Sequence, residues 1–390
     1  MFIFETVLVA VWVVALATTL LNIAFIPRLR PVDWTTQPLD GDGLKAAAPL
    51  PTVSIVVPAR NEERTIERTV RALLAQTYTP LEVIVVDDGS TDGTGRILAA
   101  LAAENPKLVL VTGEEPAPGW LGKPWALHEG SRRARGELLL FVDADIQYVP
   151  AAVATVVARL EKREEAMLSL LPRFEMHGFW ENAGLTQLAI AAFTIIPVWL
   201  GNYTTFVGLG IGGGPGNLVR RSAFEEMGGY ETLKNAVVDD VGMARQIRAH
   251  GHRTDVILGD RLASLRMYHG SQEVIDGFTK NLFPALGGSY LAAAVMLVLM
   301  VAFHFAPYVL AARGDLLAIV AVVLITITRV LLFARLKYRI DVAVVGHPFM
   351  TLLWMWILVR SVWMTGVRRQ LHWRGRVYEK DWTRFGTRKP

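Results

Sequence analysis

Asp143 and Asp145, one residue apart in Val142-Asp143-Ala144-Asp145, close the apolar run Glu137-Leu-Leu-Leu-Phe-Val142. Leu138 to Val142 reads as a buried strand, which puts both carboxylates at its carboxyl end, the edge where open α/β sheets bind ligands. Two carboxylates there can share a divalent cation and a substrate hydroxyl. Oxygen donors of this kind suit Mg²⁺ or Mn²⁺, which take one or two carboxylates and fill their other positions with water and substrate phosphate. A nucleotide-sugar diphosphate fits that pattern. A second acidic pair, Asp239-Asp240 in Val237-Val-Asp-Asp-Val-Gly-Met-Ala-Arg245, stands at a predicted helix start. That placement also has a structural reading, because carboxylates stabilise helix amino ends by about 0.3–1 kcal/mol through the dipole. Lys123, in Gly119-Trp-Leu-Gly-Lys-Pro-Trp-Ala-Leu127, stands just before Pro124, a favoured first helical residue. Beside free amides and the positive end of a helix dipole, a lysine is suited to hold a diphosphate; a solvated loop lysine is the plain alternative. Trp120 and Trp125 read as packing residues as readily as sugar platforms.

The elements that must carry these residues alternate. Val53-Ser-Ile-Val-Val57 is a predicted strand, Pro58-Ala-Arg-Asn-Glu62 a loop and Glu63 to Gln76 a helix. Leu81 to Val86 is the second strand, with a helix to about Glu104, and Leu108 to Thr112 is the third. A helix from Pro124 to Arg135 then leads to the strand before Asp143. Short apolar strands alternating with amphipathic helices predict a doubly wound, mostly parallel sheet with its polar loops on one edge. In Asp87-Asp-Gly-Ser-Thr-Asp92, Gly89 permits a positive-φ turn, Ser90 or Thr91 can cap the next helix, and a carboxylate is left free to accept a base N–H. An ordinary β-to-α turn has the same composition. The glycines at 212, 213, 214 and 216, in Ile211-Gly-Gly-Gly-Pro-Gly-Asn217, remove side chains and let backbone approach a sugar; an unusual loop without a ligand is the other reading. Arg220 to Met227 is a short predicted helix, ended by Gly228-Gly229.

Taken in order and spacing, Val53-Ser-Ile-Val-Val-Pro-Ala-Arg-Asn-Glu62, Val85-Val-Asp-Asp-Gly-Ser-Thr-Asp92, Gly122-Lys-Pro-Trp-Ala-Leu127 and Asp143-Ala-Asp145 resemble an inverting family 2 glycosyltransferase with the GT-A fold. The resemblance covers roughly Val53 to Asn281. It implies an α/β, Rossmann-like domain in which Pro58, Ala59, Arg60, Glu62 and Asp88 hold the nucleotide base and ribose, and Lys123 lies near the diphosphate. It implies that Asp143 approaches the ribose or sugar and that Asp145, with Asp143 beside it, binds the metal. The acidic pair then carries the catalytic base, with Asp240 matching the family's second acid and Asp239 the runner-up. Inverting transfer needs one carboxylate to take the acceptor hydroxyl's proton as that oxygen attacks C1 opposite the leaving nucleoside diphosphate. Gly214, Gly216 and Asn217 fall on the acceptor or sugar side. Processive and ceramide-type members carry Gln-x-x-Arg-Trp after that acid. Here Arg266-Met-Tyr268 and Gly277-Phe-Thr-Lys-Asn281 stand instead, with Arg266 and Lys280 as substitute cations or as snorkelling residues of an interfacial helix. This departure argues against a polysaccharide synthase. The Gly119 to Leu127 segment and the ending Trp373-Arg-Gly-Arg-Val-Tyr378 look like bacterial carotenoid- and hopanoid-associated glycosyltransferases.

Composition agrees with a membrane setting. The chain has 390 residues, 52% of them hydrophobic, and a mean hydropathy of +0.34, which predicts a membrane protein with a water-facing domain. The lack of cysteine excludes disulfides, zinc-thiolate sites and thiol nucleophiles. The net charge of +4 clusters near apolar segments and points to anionic lipid headgroups; no nucleic-acid motif occurs. The expected order is a transmembrane anchor over 1–27, a linker over 28–51, a catalytic domain with membrane-interface helices over 52–283, transmembrane helices over 284–366 and a basic tail over 367–390. Phe2 to Ile26 is long enough to span a bilayer, and Arg28 and Arg30 place the next domain in the cytoplasm. Further candidate spans run from about Ala285 to Ala312, Leu316 to Ala334 and Val342 to Met364. Four crossings would leave the basic tail outside, against the positive-inside bias, so a re-entrant or interfacial segment around His347-Pro348 is the alternative. Phe179 to Leu200 as a span would separate Asp145 from Asp240, so it reads as an interfacial element or a buried core helix. The expectation is a multi-pass enzyme of the inner (plasma) membrane that moves a hexose, from UDP-glucose or another UDP-hexose, to a lipid hydroxyl or carboxyl. Ceramide-like, hopanoid and carotenoid acceptors fit; a polyprenyl phosphate acceptor, a polysaccharide synthase and a catalytically silent nucleotide-sugar scaffold are the alternatives.

Overall fold

The computed structural model describes residues 2–31, 49–373 and 376–379. Most of the linker expected over 28–51, and the tail beyond 379, lie outside the described residues. The described residues divide into two compact units, one of residues 27–175 and 200–267, the other of residues 2–26, 176–199 and 268–379.

The first unit carries β1 (Val53–Ala59), β2 (Leu81–Asp87), β3 (Leu108–Thr112), β4 (Leu138–Phe141), β5 (Ile146–Tyr148), β6 (Met167–Leu171), β7 (Arg173–Phe174), β8 (Asn217–Arg220), β9 (Thr254–Leu258) and β10 (Ala263–Leu265). Seven form one sheet in the order β3-β2-β1-β4-β8-β6-β9, and β5-β10-β7 form a smaller one. In the large sheet β8 runs antiparallel to β4 and β6, and every other pairing is parallel. Alternate residues feed two cores. Ile55, Val57, Val83, Val85 and Leu140 enter one, while Val56, Ile84, Val86, Leu139 and Phe141 enter the other. Burial on both faces explains why β1, β2 and β4 are unbroken apolar runs.

Ile66–Leu74 and Thr94–Glu104 are helices that bury Ile66, Val70, Leu73 and Leu98 against the first face. Gly122–Arg133 covers the second face through Ala126 and Leu127. Gly130 lets this helix press down, since a Cβ there would lie 2.4 Å from Val56 Cγ1. That close seat fixes the height of Lys123, seven residues earlier, over the carboxyl ends of the strands.

Among the described residues the second unit holds four helices long and apolar enough to cross a membrane, Phe2–Phe25, Tyr290–Ala312, Leu316–Leu336 and His347–Val367. Each meets the roughly 20-residue requirement of a bilayer core. Leu291, Val298, Leu316 and Trp356 point outward and are more than half exposed, the pattern of side chains that meet acyl chains rather than water. The apolar segment beginning at Phe179 is a helix, Gly178–Ile195, of this same unit.

Candidate active site

The site starts at the carboxyl edge of the large sheet. The chain leaves β1 at Arg60 and β2 at Asp88, and the two loops are stitched together. Asp88 N–H donates to Ala59 O at 2.8 Å, Asn61 N–H to Ser90 Oγ at 3.1 Å, and Glu62 N–H to Thr94 Oγ1 at 2.8 Å. Asn61 takes a positive φ of 53°, which asparagine tolerates, and its Oδ1 accepts from Thr91 N–H at 2.8 Å. Pro58 and Ala59 are the last two residues of β1 and are buried. Glu62 turns back on its own helix, its Oε2 accepting from Thr65 Oγ1 at 3.2 Å.

The Asp88 carboxylate is 1% exposed, with Oδ2 4.0 Å from Arg60 Nη1. The Arg60 guanidinium also donates to the carbonyls of Asp88 and Gly89. The two residues form one unit, because a buried carboxylate needs a cation close by.

The acidic residues and Lys123 converge from three parts of the chain. Lys123 Nζ lies 2.7 Å from Asp143 Oδ1 and 3.8 Å from Asp239 Oδ1. Asp239 and Asp240 open the helix Asp239–Ala249. Asp240 is held by two backbone amides, Oδ2 accepting from Gly214 N–H at 2.8 Å and Oδ1 from Val241 N–H at 2.7 Å. A small, partly open pocket is lined by Lys123, Asp143, Gly214, Tyr230, Asp239 and Asp240, among others. Pro58, Arg60, Asp88 and Asp145 lie outside this lining, as do Arg266 and Lys280. Arg266 follows β10 in the first unit, and Lys280 belongs to the helix Gly270–Ala285 of the second.

Charge is shared unevenly here. Burial pushes the Asp239 carboxyl up to about 6; Lys123 opposes that rise, and Asp240 and Asp143 add to it. Burial works against the Lys123 ammonium, but Asp143, Asp239 and Asp240 outweigh it and hold the group above the ordinary lysine value. Tyr230 is driven well above the usual phenol range by burial and then by Asp239, Asp240 and Asp143, so it faces the pocket as a neutral O–H.

The glycine loop serves the carboxylates first. A Cβ on Gly214 would lie 2.4 Å from Asp143 Oδ2, one on Gly212 would lie 2.0 Å from Asp240 O, and one on Gly216 would lie 2.3 Å from the Tyr148 hydroxyl. Gly213 has room, with nothing nearer than 3.6 Å. Asn217, 3% exposed, ties the loop's two ends together, its Oδ1 accepting from Ser169 Oγ at 2.9 Å and Gly213 N–H at 3.1 Å. The Tyr148 hydroxyl donates to Pro215 O at 2.8 Å. Tyr148 and Tyr230 were missed in the sequence; Tyr230 directly follows the helix stop Gly228-Gly229, the one local signal that could have drawn attention to it. Trp120 and Trp125 pack edge to face at 5.2 Å and both lie against His128, whose imidazole burial lowers below the usual histidine value.

Asp143 and Asp145 leave the end of β4 as two oxygen donors with Ala144 buried between them. Among the described residues no group of three or more His, Cys, Asp or Glu side chains gathers as a ready-made cage. This donor set fits Mg²⁺ or Mn²⁺, which dehydrate reluctantly and complete their shell with substrate phosphate and water.

Residues 54–228 match the family described as Glycosyl transferase family 2. The 4,4'-diaponeurosporenoate glycosyltransferase of Staphylococcus aureus is 24% identical over 341 residues, covering 84% of this chain and 88% of the relative. Among solved structures, a mannosyltransferase of Pyrobaculum calidifontis in complex with GDP-Man and Mn²⁺ superposes with a TM-score of 0.55 at 21% identity, covering 93% of this chain and 99% of that one. The strand order, the acidic residues at the strand ends and the match over residues 54–228 lead to one assignment: residues 54–228 are a family 2 glycosyltransferase domain, in a chain with a GT-A fold and long apolar helices.

Proposed function

We propose that this enzyme transfers a hexose from UDP-glucose, with inversion, to the hydroxyl or carboxyl of a membrane lipid. The observation that carries the reading is the meeting of Lys123, Asp143, Asp239 and Asp240 around one pocket. Asp240 is the proposed base: two amide donors fix its carboxylate, leaving the remaining lone pairs for an acceptor proton. The acceptor oxygen attacks C1 while its proton passes to Asp240, and the bond from C1 to the diphosphate oxygen breaks on the opposite face. The released charge develops beside Lys123, which Asp143 and Asp239 hold ready as a cation. Asp239 is the runner-up base and, in this reading, the residue that sets the charge of Lys123. Asp143 and Asp145 would hold Mg²⁺ or Mn²⁺, which when bound neutralises charge on the diphosphate. Arg60 with Asp88, framed by Pro58, Ala59 and Glu62, is the proposed base and ribose end, and Gly214, Gly216 and Asn217 shape the sugar side.

The relative acting on a carotenoid acid, and the Mn²⁺ in the mannosyltransferase complex, support a lipid acceptor and a divalent ion. Four membrane-length helices and the basic residues Arg28 and Arg30 support a plasma-membrane enzyme with a cytoplasmic catalytic unit. The test is a donor panel with purified protein in detergent, with Mn²⁺ or Mg²⁺ and with or without bacterial lipid extract. UDP-glucose should be consumed only when lipid is present, and mass spectrometry should find a lipid heavier by one hexose. Donor consumption without a glycosylated lipid, or a product on polyprenyl phosphate alone, would overturn the reading.

A further inference from the structure

We infer that the segment Ile340–Val367 enters the membrane and returns to the side it came from, a re-entrant hairpin pinned at its tip by the buried guanidinium of Arg329. The helix directions within the second unit carry this. Leu8 and Trp12 pack with Ala321 and Ile325, and Arg335 Nε donates to Ile23 O at 3.3 Å. Phe2–Phe25 and Leu316–Leu336 therefore run parallel, with Phe25 and Leu336 at the same end. Only Arg313, Gly314 and Asp315 join Tyr290–Ala312 to Leu316–Leu336, so Tyr290 lies at that same end too. Call this the near end.

The chain then folds back. Arg329 Nε donates to Ala343 O at 2.9 Å and Nη2 to Val342 O at 3.3 Å, which puts the short helix Ile340–Val345 beside a residue seven positions before Leu336. His347 follows, its Nδ1 2.8 Å from Arg329 Nη1 and its Nε2 3.3 Å from His304 Nδ1. His304 stands about 20 Å along its helix from Tyr290 at ~1.5 Å per residue, and Trp12, which donates to Phe303 O at 2.8 Å, lies at a similar depth. The tip therefore stops inside the bundle. From there the last helix runs back: Ser361 Oγ accepts from Phe283 N–H at 2.9 Å, and a Cβ on Gly366 would lie 3.1 Å from the Tyr290 hydroxyl. Its carboxyl end is at the near end.

This arrangement accounts for a charge inside an apolar bundle. Ile340–Val345 ends where its last carbonyls lack helical partners, and Pro348, at the start of the next helix, prevents the two helices from joining. Orphan carbonyls in hydrocarbon cost several kcal/mol each. Arg329, fully buried, supplies a donor to one of them, Ala343 O, and a second donor to Val342 O, which Gly346 N–H also reaches. The hairpin also gathers Arg28, Arg30, Arg335, Lys337, Arg339, Arg368 and Arg369 at one end, as the positive-inside bias favours, where a fourth crossing would divide them.

The chain has no cysteine, so single reporters can be placed at Arg30→Cys, Arg313→Cys and Arg368→Cys, with Gln370→Cys as a second tail position. Each variant is exposed to a membrane-impermeant maleimide in intact cells and in inverted vesicles of the expression host. The hairpin predicts that Arg368→Cys and Gln370→Cys label in the same preparation as Arg30→Cys, and Arg313→Cys in the opposite one. Tail reporters that label with Arg313→Cys would show a fourth crossing and overturn the inference.

Discussion

Alanine at Gly214 should cost most of the activity, while alanine at the adjacent Gly213 should cost little. The Gly214 Cβ would sit 2.4 Å from Asp143 Oδ2 and 3.1 Å from its Cγ, whereas at Gly213 the nearest atom is 3.6 Å away. Neither glycine has a positive φ, so the contrast is one of space alone. Relief at 214 moves the Asp143 carboxylate by about 1 Å, taking it from 2.7 Å toward roughly 3.7 Å from Lys123 Nζ. At an effective dielectric near 20 the pair energy falls from about 6 to about 4.5 kcal/mol, or ten- to thirtyfold in rate if the pair is needed in the transition state. Gly214 N–H also aims the Asp240 carboxylate, and a misplacement of about 1 Å can cost a hundredfold. Steady-state nucleotide release should therefore show kcat/KM down ten- to a hundredfold for Gly214→Ala and within about twofold of wild type for Gly213→Ala. Thermal midpoints of both should stay within about 2–4 °C, the shift of roughly 1 kcal/mol in a unit of this size. Wild-type activity in Gly214→Ala, or an equal loss in Gly213→Ala, would refute the steric coupling of loop to carboxylates.

The Asp239 carboxyl, raised to about 6 chiefly by burial, should give kcat/KM an acid limb near pH 6: above it the ionised group supports Lys123, and activity falls as pH drops and the proton binds. Because Lys123 is the group that pulls that value down, Lys123→Met should move the surviving limb to higher pH, as measured by a pH profile. Asn217→Ala removes the acceptor for Ser169 and Gly213 and should lower stability by about 1–3 kcal/mol, read by denaturant titration. Gly130→Ala forces a Cβ to within 2.4 Å of Val56 Cγ1; overpacking of that kind costs about 1–3 kcal/mol, and the lifted helix should raise KM for the donor more than it lowers kcat.

Much of this site was legible because local rules and tertiary structure agree. β1, β2 and β4 are buried on both faces, so their apolar runs and the polar residues that end them survive in the linear pattern. Lys123 at a helix start and Asp239-Asp240 at another were readable for the same reason. What escaped was set by contacts between distant segments. β8 has four residues and emerges from a glycine loop, and β5, β7 and β10 are shorter still, below the length at which alternation is visible. The glycines at 212, 214 and 216 look like room for a ligand, yet their neighbours are Asp240, Asp143 and Tyr148. The turn Asp87–Asp92 does not say which of its carboxylates is covered; the fold buries Asp88 beside Arg60. Arg329 stood unremarked in an apolar helix, since only the fold shows which carbonyls it meets.

The most direct test of the central claim compares wild type with Asp240→Asn for lipid-dependent release of UDP from UDP-glucose, alongside the affinity of each for UDP. Asparagine keeps the shape, and its single side-chain oxygen can accept from one of the two amides, Gly214 or Val241, that hold the carboxylate, but it takes no proton from an acceptor. Turnover should fall by about 10²–10⁴-fold with UDP affinity unchanged. Wild-type turnover in Asp240→Asn would contradict the assignment of the base and the reaction built on it.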